Sequence, residues 1–298
     1  MTVHGPADGW VESPEGQKYW GRAGAAGLLV VDERDRVLLQ HRAVWSHHGG
    51  TWGLPGGARA FGETAVEGAL RESGEEAAVP ADALRLVSES VLDLGFWSYT
   101  TVVARAERPF EPVISDAESL ELRWVARAEV ASVPLHPGLA GSWAGLDAQL
   151  DLDVHLVVDA ANVVGSRPDG WWRDRAGATR RLLDRLVARE VDGLPADLVL
   201  PAPTSSDASG AATSWWPRVT VVVEGEARAV TDDDLGRVRL VRAEADGDAA
   251  IAAVVDELRA SSPSPRVVVV TADRGLAARV EARGGVVVGP GRLLSALD

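Results

Sequence analysis

Gly57-Ala-Arg-Ala-Phe-Gly-Glu63-Thr-Ala-Val-Glu67-Gly-Ala-Leu-Arg71-Glu72-Ser73-Gly74-Glu75-Glu76 decides how the first half of this 298-residue chain folds. A glycine-bearing loop runs into residues 64–78, whose composition suits a helix. On that helix Glu72, Glu75 and Glu76 are related by i, i+3 and i+4 and share one face. Three carboxylates on one face repel each other, and a purely structural helix gains nothing from that arrangement. A divalent cation removes the penalty, and hard oxygen ligands of this kind suit Mg2+ or Mn2+.

Upstream of the stretch, residues 25–31 (AAGLLVV) form a short apolar strand. Residues 32–35 make a turn, and residues 37–40 (VLLQ) return as a second strand of a hairpin. Gly49-Gly50 marks a loop, and Trp52-Gly-Leu-Pro-Gly-Gly57 leads into the helix. Downstream, Pro80 stops helical continuation. Residues 84–91, 97–104 and 120–125 are further strands. The first domain is therefore expected to be a mixed sheet carrying a helix, ending near Trp143, with a junction at residues 144–151.

The quoted stretch resembles the Nudix box, the signature of the Nudix hydrolases with the MutT-like fold. Gly57, Glu63, Arg71, Glu72, Glu75 and Glu76 occupy its charged and glycine positions. Ser73 stands where the family has an aliphatic residue, and Ala78 where it has the glycine that ends the helix. Both departures concern packing or capping and leave the chemistry whole.

The resemblance implies an α/β/α sandwich with a mixed sheet. It further implies metal-dependent cleavage of the phosphoanhydride in a nucleoside diphosphate linked to another group. Glu72, Glu75 and Glu76, with the Gly57 carbonyl, would hold Mg2+ or Mn2+, and Glu76 or Glu72 would be the general base. Arg71 would orient a glutamate through an ion pair, with Glu63 or Glu67 in reach. Glu118 and Glu121 either complete the metal site or are solvated surface acids. Trp45, Trp52, Phe96, Trp97 and Trp124 are aromatic candidates for a nucleobase contact, in competition with core or rim packing. His47-His48 either meets phosphate or lies on the surface. Leu135-His136-Pro137-Gly138 resembles a further segment of MutT-like proteins. The non-enzymatic alternative is a nucleotide-sensing Nudix domain that controls its C-terminal neighbour.

In the second half, strands alternate with helices. Strands are expected at residues 153–159, 219–223, 238–241, 267–271 and 286–288, and helices at residues 176–190, 248–260 and 274–283. The continuous apolar run 153–159 (DVHLVVD) suits a central parallel strand. The alternation implies a three-layer α/β domain with a mostly parallel sheet. Residues 201–216, rich in Pro, Ser, Ala and Gly, read as a mobile loop. The expected division is thus 1–148 (core about 22–143) and 149–298.

Functional groups gather beyond the carboxyl ends of parallel strands. Asp159, Asp248 and Asp273 can converge there as a second divalent-cation site, or Asp246 and Asp248 can simply cap a helix. With Asn162 as a possible substrate contact beside Asp159, with Ile251 after Asp248, and with the Thr271-x-Asp273 pair, this half resembles the NYN branch of the PIN-like nucleases (YacP-like type). That resemblance implies a ribonuclease activity. Trp171, Trp172, Arg173 and Arg175 are placed to meet single-stranded RNA, or to fold over the core. Arg180, Arg181, Arg185 and Arg189 make a basic strip or a solvated helix face.

Composition narrows the classes. A chain of this length suits two domains. The absence of cysteine excludes disulfides and thiolate metal sites and fits a reducing cytoplasm. A net charge of −14 argues against tight duplex nucleic-acid binding through a general basic surface. The polar N-terminus does not read as a signal peptide, and no apolar run has the length of a membrane span, so no membrane partner is expected.

Overall fold

The computed structural model describes residues 5–168, 170–200 and 210–298. The described residues fall into two compact units, one holding residues 5–149 and 210–213 and the other residues 150–168, 170–200 and 214–298. The division is therefore not the single cut near residue 148 that the sequence suggests. A short piece of the second half belongs to the first unit, where Thr213 N donates to Glu89 O at 2.8 Å and Ser90 Oγ to Gly210 O at 3.0 Å. Residues 201–209 of the expected loop lie outside the described residues. Among the described residues, no helix is long and apolar enough to cross a membrane.

The first unit opens with a short antiparallel pair, β1 (Trp10–Glu12) and β2 (Lys18–Trp20), which the polar, glycine-bearing N-terminal sequence does not announce. Its main sheet is built from β3 (Ala25–Val31), β4 (Arg36–Arg42), β5 (Trp52–Gly53), β6 (Gly56–Ala58), β7 (Leu84–Asp93), β8 (Ser98–Ala106) and β9 (Ser119–Ala126). The order is β7-β8-β3-β4-β5, with β6 also pairing with β3 and β9 with β4. β3 and β8 run parallel and the other pairings just named are antiparallel, so the sheet is mixed.

All seven residues of β3 are buried, so both faces of the sheet are covered there. One face receives α1 (Ala65–Ala77), whose Ala69 and Ala77 pack on Ala26, Leu28, Val30 and Val102. The small alanines let the helix lie close to the sheet, which brings its glutamates to the strand ends. Residues 144–150, expected as a junction, instead complete α2 (Pro137–Leu150). Leu139, Trp143, Leu146 and Leu150 are buried at spacings of four, three and four, an apolar stripe interrupted in the sequence by Gly138, Gly141 and Gly145. Gln149 of α2 reaches β7, donating to Ser90 Oγ at 2.9 Å and accepting from Ser88 Oγ.

Helix α1 starts with a reciprocal cap. Glu67 N donates to Thr64 Oγ1 at 3.2 Å, and Thr64 N donates to Glu67 Oε2 at 2.8 Å. It ends at Ala78, which is exposed and takes the left-handed conformation at φ 53°. That conformation costs a non-glycine residue about 1–2 kcal/mol. A glycine here would add about 0.4–1 kcal/mol of unfolded-chain entropy. The strain is the larger quantity, so Ala78→Gly is expected to stabilise the first unit by roughly 1 kcal/mol, read as an increased midpoint of urea unfolding. Ser73 sits fully buried in the aliphatic position, its hydroxyl satisfied by donation to Leu70 O at 3.1 Å.

The second unit carries a five-stranded, all-parallel sheet of β10 (Asp153–Asp159), β13 (Arg218–Val223), β14 (Arg239–Arg242), β15 (Pro265–Val270) and β16 (Val286–Val288), in the order β14-β13-β10-β15-β16. A small antiparallel pair, β11 (Leu194–Pro195) and β12 (Ser214–Trp215), lies apart from this sheet. Helices α6 (Gly247–Ser261) and α7 (Arg274–Ala282) cover one face, with Ile251, Val255, Leu276 and Val280 packed on Val157, Val267 and Val269. The alternate strand residues Leu156, Val158, Val268 and Val270 are equally buried on the opposite face. The remaining helices are α3 (Ala160–Gly165), α4 (Arg175–Asp192), α5 (Ala196–Val199) and α8 (Pro290–Leu297), of which α3 packs against β13, α4 and α8.

Candidate active site

Arg71 is the organising cation of the α1 face. Its Nε and Nη2 donate to the two carboxylate oxygens of Glu63 at 2.8 and 3.0 Å, a bidentate pair. Its Nη1 reaches Glu72 at 2.9 Å and Glu75 at 3.3 Å, and Nη2 also donates to Ala58 O at 3.0 Å. Glu67, the other carboxylate considered for Arg71, is committed to Thr64 in the helix cap. The hydrogen bonds from Arg71 hold Glu63 below the usual carboxylate range. Glu72 is pushed upward, chiefly by burial, with Arg71 acting in the opposite direction.

Gly57 lies directly against this group. A Cβ placed on Gly57 would stand 2.7 Å from the Glu72 carboxylate. Because the obstacle is the end of a flexible side chain, Gly57→Ala is expected to displace Glu72 rather than unfold the helix. The expected result is at least a tenfold loss of kcat/KM with a melting temperature changed by only a few degrees. Steady-state kinetics and a thermal melt on one preparation separate the two.

Glu76 is the most perturbed of the glutamates. It is 8% exposed, and burial pushes its pKa up to about 8; the Gly56 N–H opposes the shift, while Glu72, Asp116 and Glu118 add to it. Its Oε2 accepts from Gly56 N at 2.9 Å and from Gln40 Nε2 at 3.3 Å. Gln40 also donates to Ser119 Oγ at 2.7 Å, and Ser119 donates to Asp116 at 2.9 Å. Carboxylate oxygens of Glu76, Asp116 and Glu118 lie within 4.8 Å of one another. The buried Gln40 Oε1 has no hydrogen-bond partner among the described residues.

An all-oxygen donor set around a carboxylate whose ionisation is opposed first by burial and then by neighbouring acids fits a hard divalent cation, which would compensate the buried charge. The structure thus brings Glu118 to Glu76. It places Glu121 elsewhere, paired with Arg123 at 2.9 Å on the surface. Asp116 is an addition that the box pattern does not contain. Its signal was the acidic run Ser115-Asp-Ala-Glu118 just before β9.

These groups line a cavity of about 1320 Å³ in the first unit, together with Trp10, Tyr19, Trp20, Trp45, Trp97 and Tyr99. Trp45 and Trp97 of the aromatic candidates therefore face it. Trp52 does not; it is buried, His41 stacks on it at 4.7 Å and the Arg123 guanidinium sits 4.5 Å from the ring. Trp124 packs edge-on against Phe110, and Phe96 against Tyr19.

In the second unit, Asp159 is buried and accepts from Thr271 Oγ1 at 2.9 Å and from Asn162 Nδ2 at 3.0 Å. Asn162 Oδ1 accepts from Ala272 N at 3.1 Å, so Asn162 ties together the ends of β10 and β15. Asp273 caps α7 through Leu276 N at 2.7 Å. Asp246 caps α6, while Asp248 pairs with Arg279. Burial raises the Asp248 pKa, with Arg279 acting against it and Asp273, Asp246 and Asp159 adding to the rise. Among the described residues, the trio Asp159, Asp248 and Asp273 is not drawn into a cluster with ligand-to-ligand separations of 4.8 Å.

The exposed Trp172 meets Trp171 edge-on, and Arg175 lies over the Trp171 ring at 5.3 Å. Much of the basic strip is neutralised, with Arg180 paired to Asp184, Arg185 to Asp298 and Arg189 to Asp192.

A NUDIX domain family model matches residues 21–143, which all lie in the first unit. The chain is 53% identical over 154 residues to the "Putative 8-oxo-dGTP diphosphatase 3" of Mycobacterium tuberculosis, a match covering 48% of this chain and 70% of that protein. It is 45% identical over 160 residues to the "Nucleoside triphosphate pyrophosphatase/Nudix hydrolase fusion protein" of Bifidobacterium longum, covering 50% of this chain and 33% of the relative. Among solved structures, RenU, a Nudix hydrolase from M. smegmatis, is 48% identical, with 46% of this chain and 91% of that one covered and a TM-score of 0.43. The chain belongs to the Nudix family.

Proposed function

We propose that the first unit is a divalent-cation-dependent pyrophosphohydrolase that cleaves the phosphoanhydride of a nucleoside triphosphate or of another nucleoside diphosphate derivative. The observation that carries this reading is the buried Glu76 carboxyl clustered with Asp116 and Glu118, with Glu72 lining the same cavity. Glu72, Glu75 and Glu76 with the Gly57 carbonyl, joined by Asp116 and Glu118, are the residues that would hold Mg2+ or Mn2+. Such a cation supplies charge neutralisation on the phosphate oxygens. Arg71, locked to Glu63, keeps Glu72 and Glu75 on the cavity side. Glu76, or Glu72 as the alternative base, takes a proton from the attacking water.

The names of the M. tuberculosis relatives make 8-oxo-dGTP the first substrate to test. The experiment is turnover of a panel of nucleoside triphosphates (8-oxo-dGTP among them), dinucleotides and nucleotide sugars with Mg2+ or Mn2+. Metal-dependent release of a nucleotide and a phosphate product is expected. Tight nucleotide binding with no turnover anywhere on the panel would instead favour the nucleotide-sensing alternative.

For the second unit we propose a PIN-like, NYN-type nuclease domain acting on single-stranded RNA. What supports this is the strand order, which leaves a crevice between β10 and β15 where the connections depart in opposite directions. Asp159 and Asp273 stand at the carboxyl ends of those two strands. Cleavage of end-labelled RNA that survives both Asp159→Asn and Asp273→Asn would remove the proposal.

A further inference from the structure

Three of the six histidines in the chain converge on the wall of the first unit's cavity. His47 and His48 come from the loop between β4 and β5, and His136 from the residue before α2. The rings of His47 and His48 meet edge-on with centroids 4.1 Å apart, and those of His48 and His136 at 4.7 Å. Their ring nitrogens lie within 4.8 Å of one another.

The loop is built rather than loose. Arg42 Nε donates to His47 O at 3.2 Å, Thr51 Oγ1 to His48 O at 2.6 Å, and Ala43 N to Glu118 O at 2.7 Å. His48 itself holds φ at 54°, a strained conformation for a residue with a side chain.

Such a cluster can take a soft cation or an anion, and three observations favour the anion. Gly138 N donates to His136 Nδ1 at 3.1 Å, which leaves the proton on Nε2 and makes that nitrogen a donor. Helix α2 begins at Pro137, so its N-terminal partial positive charge adjoins the same wall. Burial, more than the neighbouring charges, holds His136 down to about 4 and so neutral, which leaves Arg42, whose charge acts on both His47 and His136, as the fixed positive charge at the cluster. That guanidinium would repel a bound cation and attract a bound anion.

Position identifies the anion. Arg42 lies two residues from Gln40, the residue that touches Glu76, which along a strand is about 7 Å. We propose that His47, His48 and His136, with Arg42, form a phosphate subsite that receives a phosphate group beyond the anhydride held at the carboxylates. Resting on the hydrolase reading, this selects nucleoside triphosphates over nucleoside diphosphate sugars.

Titration calorimetry of the full chain with inorganic pyrophosphate in EDTA tests the subsite without the metal. The wild type is expected to bind. His136→Asn, which keeps an acceptor for Gly138 N, and His48→Gln, at an exposed position, are each expected to weaken binding at least tenfold with an unchanged melting temperature. With Mg2+, the same variants are expected to raise KM about tenfold for a nucleoside triphosphate while leaving kcat, and both constants for a nucleotide sugar, unchanged. Unaltered pyrophosphate binding in both variants overturns the proposal. So does 1:1 Zn2+ binding that His136→Asn abolishes while pyrophosphate gives no heat. If the wild type turns over nothing but pyrophosphate binding still depends on the histidines, the hydrolase reading fails and the subsite stands.

Discussion

Glu76→Gln is expected to lower kcat by about 10²–10⁴-fold, the span associated with loss of a positioned proton acceptor. The substitution keeps the volume of the side chain and an oxygen for the Gly56 N–H, so the fold should survive. What it removes is the negative charge. Glu76 is the carboxylate on which the site converges: Gly56 and Gln40 fix one oxygen, and Asp116 and Glu118 approach from the neighbouring loop. Two roles are separable in one experiment. If Glu76 acts mainly as a cation ligand, the Mg2+ concentration for half-maximal activity rises steeply in the variant. If it acts mainly as the base, kcat falls while that concentration stays put. Activity within threefold of wild type together with an unchanged Mg2+ concentration for half-maximal activity would refute both roles. Glu121→Gln, altering an exposed carboxylate paired with Arg123, serves as the control and should leave turnover intact.

The carboxylate face was legible from residue spacing because a helix converts i, i+3 and i+4 into neighbours, and nothing distant is needed for that. The ion-pair partner of Arg71 was not decided by spacing alone, since Glu63 and Glu67 were both in reach; the cap at Thr64 consumes Glu67 and leaves Glu63. Asp116 and Gln40 were harder to find. Each reaches the site from a strand or loop far away in sequence, through the pairing of β4 with β9 and β5, and no local pattern encodes a pairing register. Trp52 is hard to place for a related reason: an aromatic residue beside a glycine loop resembles a stacking platform until its neighbours, His41 and Arg123, pack against the ring and bury it. In the second half, the alternation of strands and helices gave the parallel sheet. Whether Asp248 joins Asp159 and Asp273 depended on where Arg279 falls on a different helix, which alternation does not reveal.

The raised pKa of Glu76 also predicts how the metal-free protein responds to pH. In the unfolded chain a glutamate titrates near 4.5, whereas in the folded one Glu76 holds its proton up to about 8. Between those values the native state binds more protons than the unfolded state, so stability falls as pH rises through that window. At about 1.4 kcal/mol for each tenfold change in proton affinity, the ceiling on the loss is about 5 kcal/mol. Glu72, whose pKa is also raised by burial, adds a loss of the same sign. Glu63, held down by Arg71, contributes the opposite way, but its stabilisation is complete once pH exceeds the unfolded value and does not change across the upper part of the window. The EDTA-treated protein is therefore expected to lose stability towards urea steadily from pH 5 to pH 8. Glu76→Gln carries no titrating group there and should flatten most of the slope. Saturating Mg2+ should restore stability most at the alkaline end, where the deprotonated carboxylates it would bind are otherwise uncompensated. A metal-free wild type whose urea midpoint rises or stays level between pH 5 and pH 8 would mean that Glu76 ionises at an ordinary pH, and the desolvated carboxylate site would have to be abandoned.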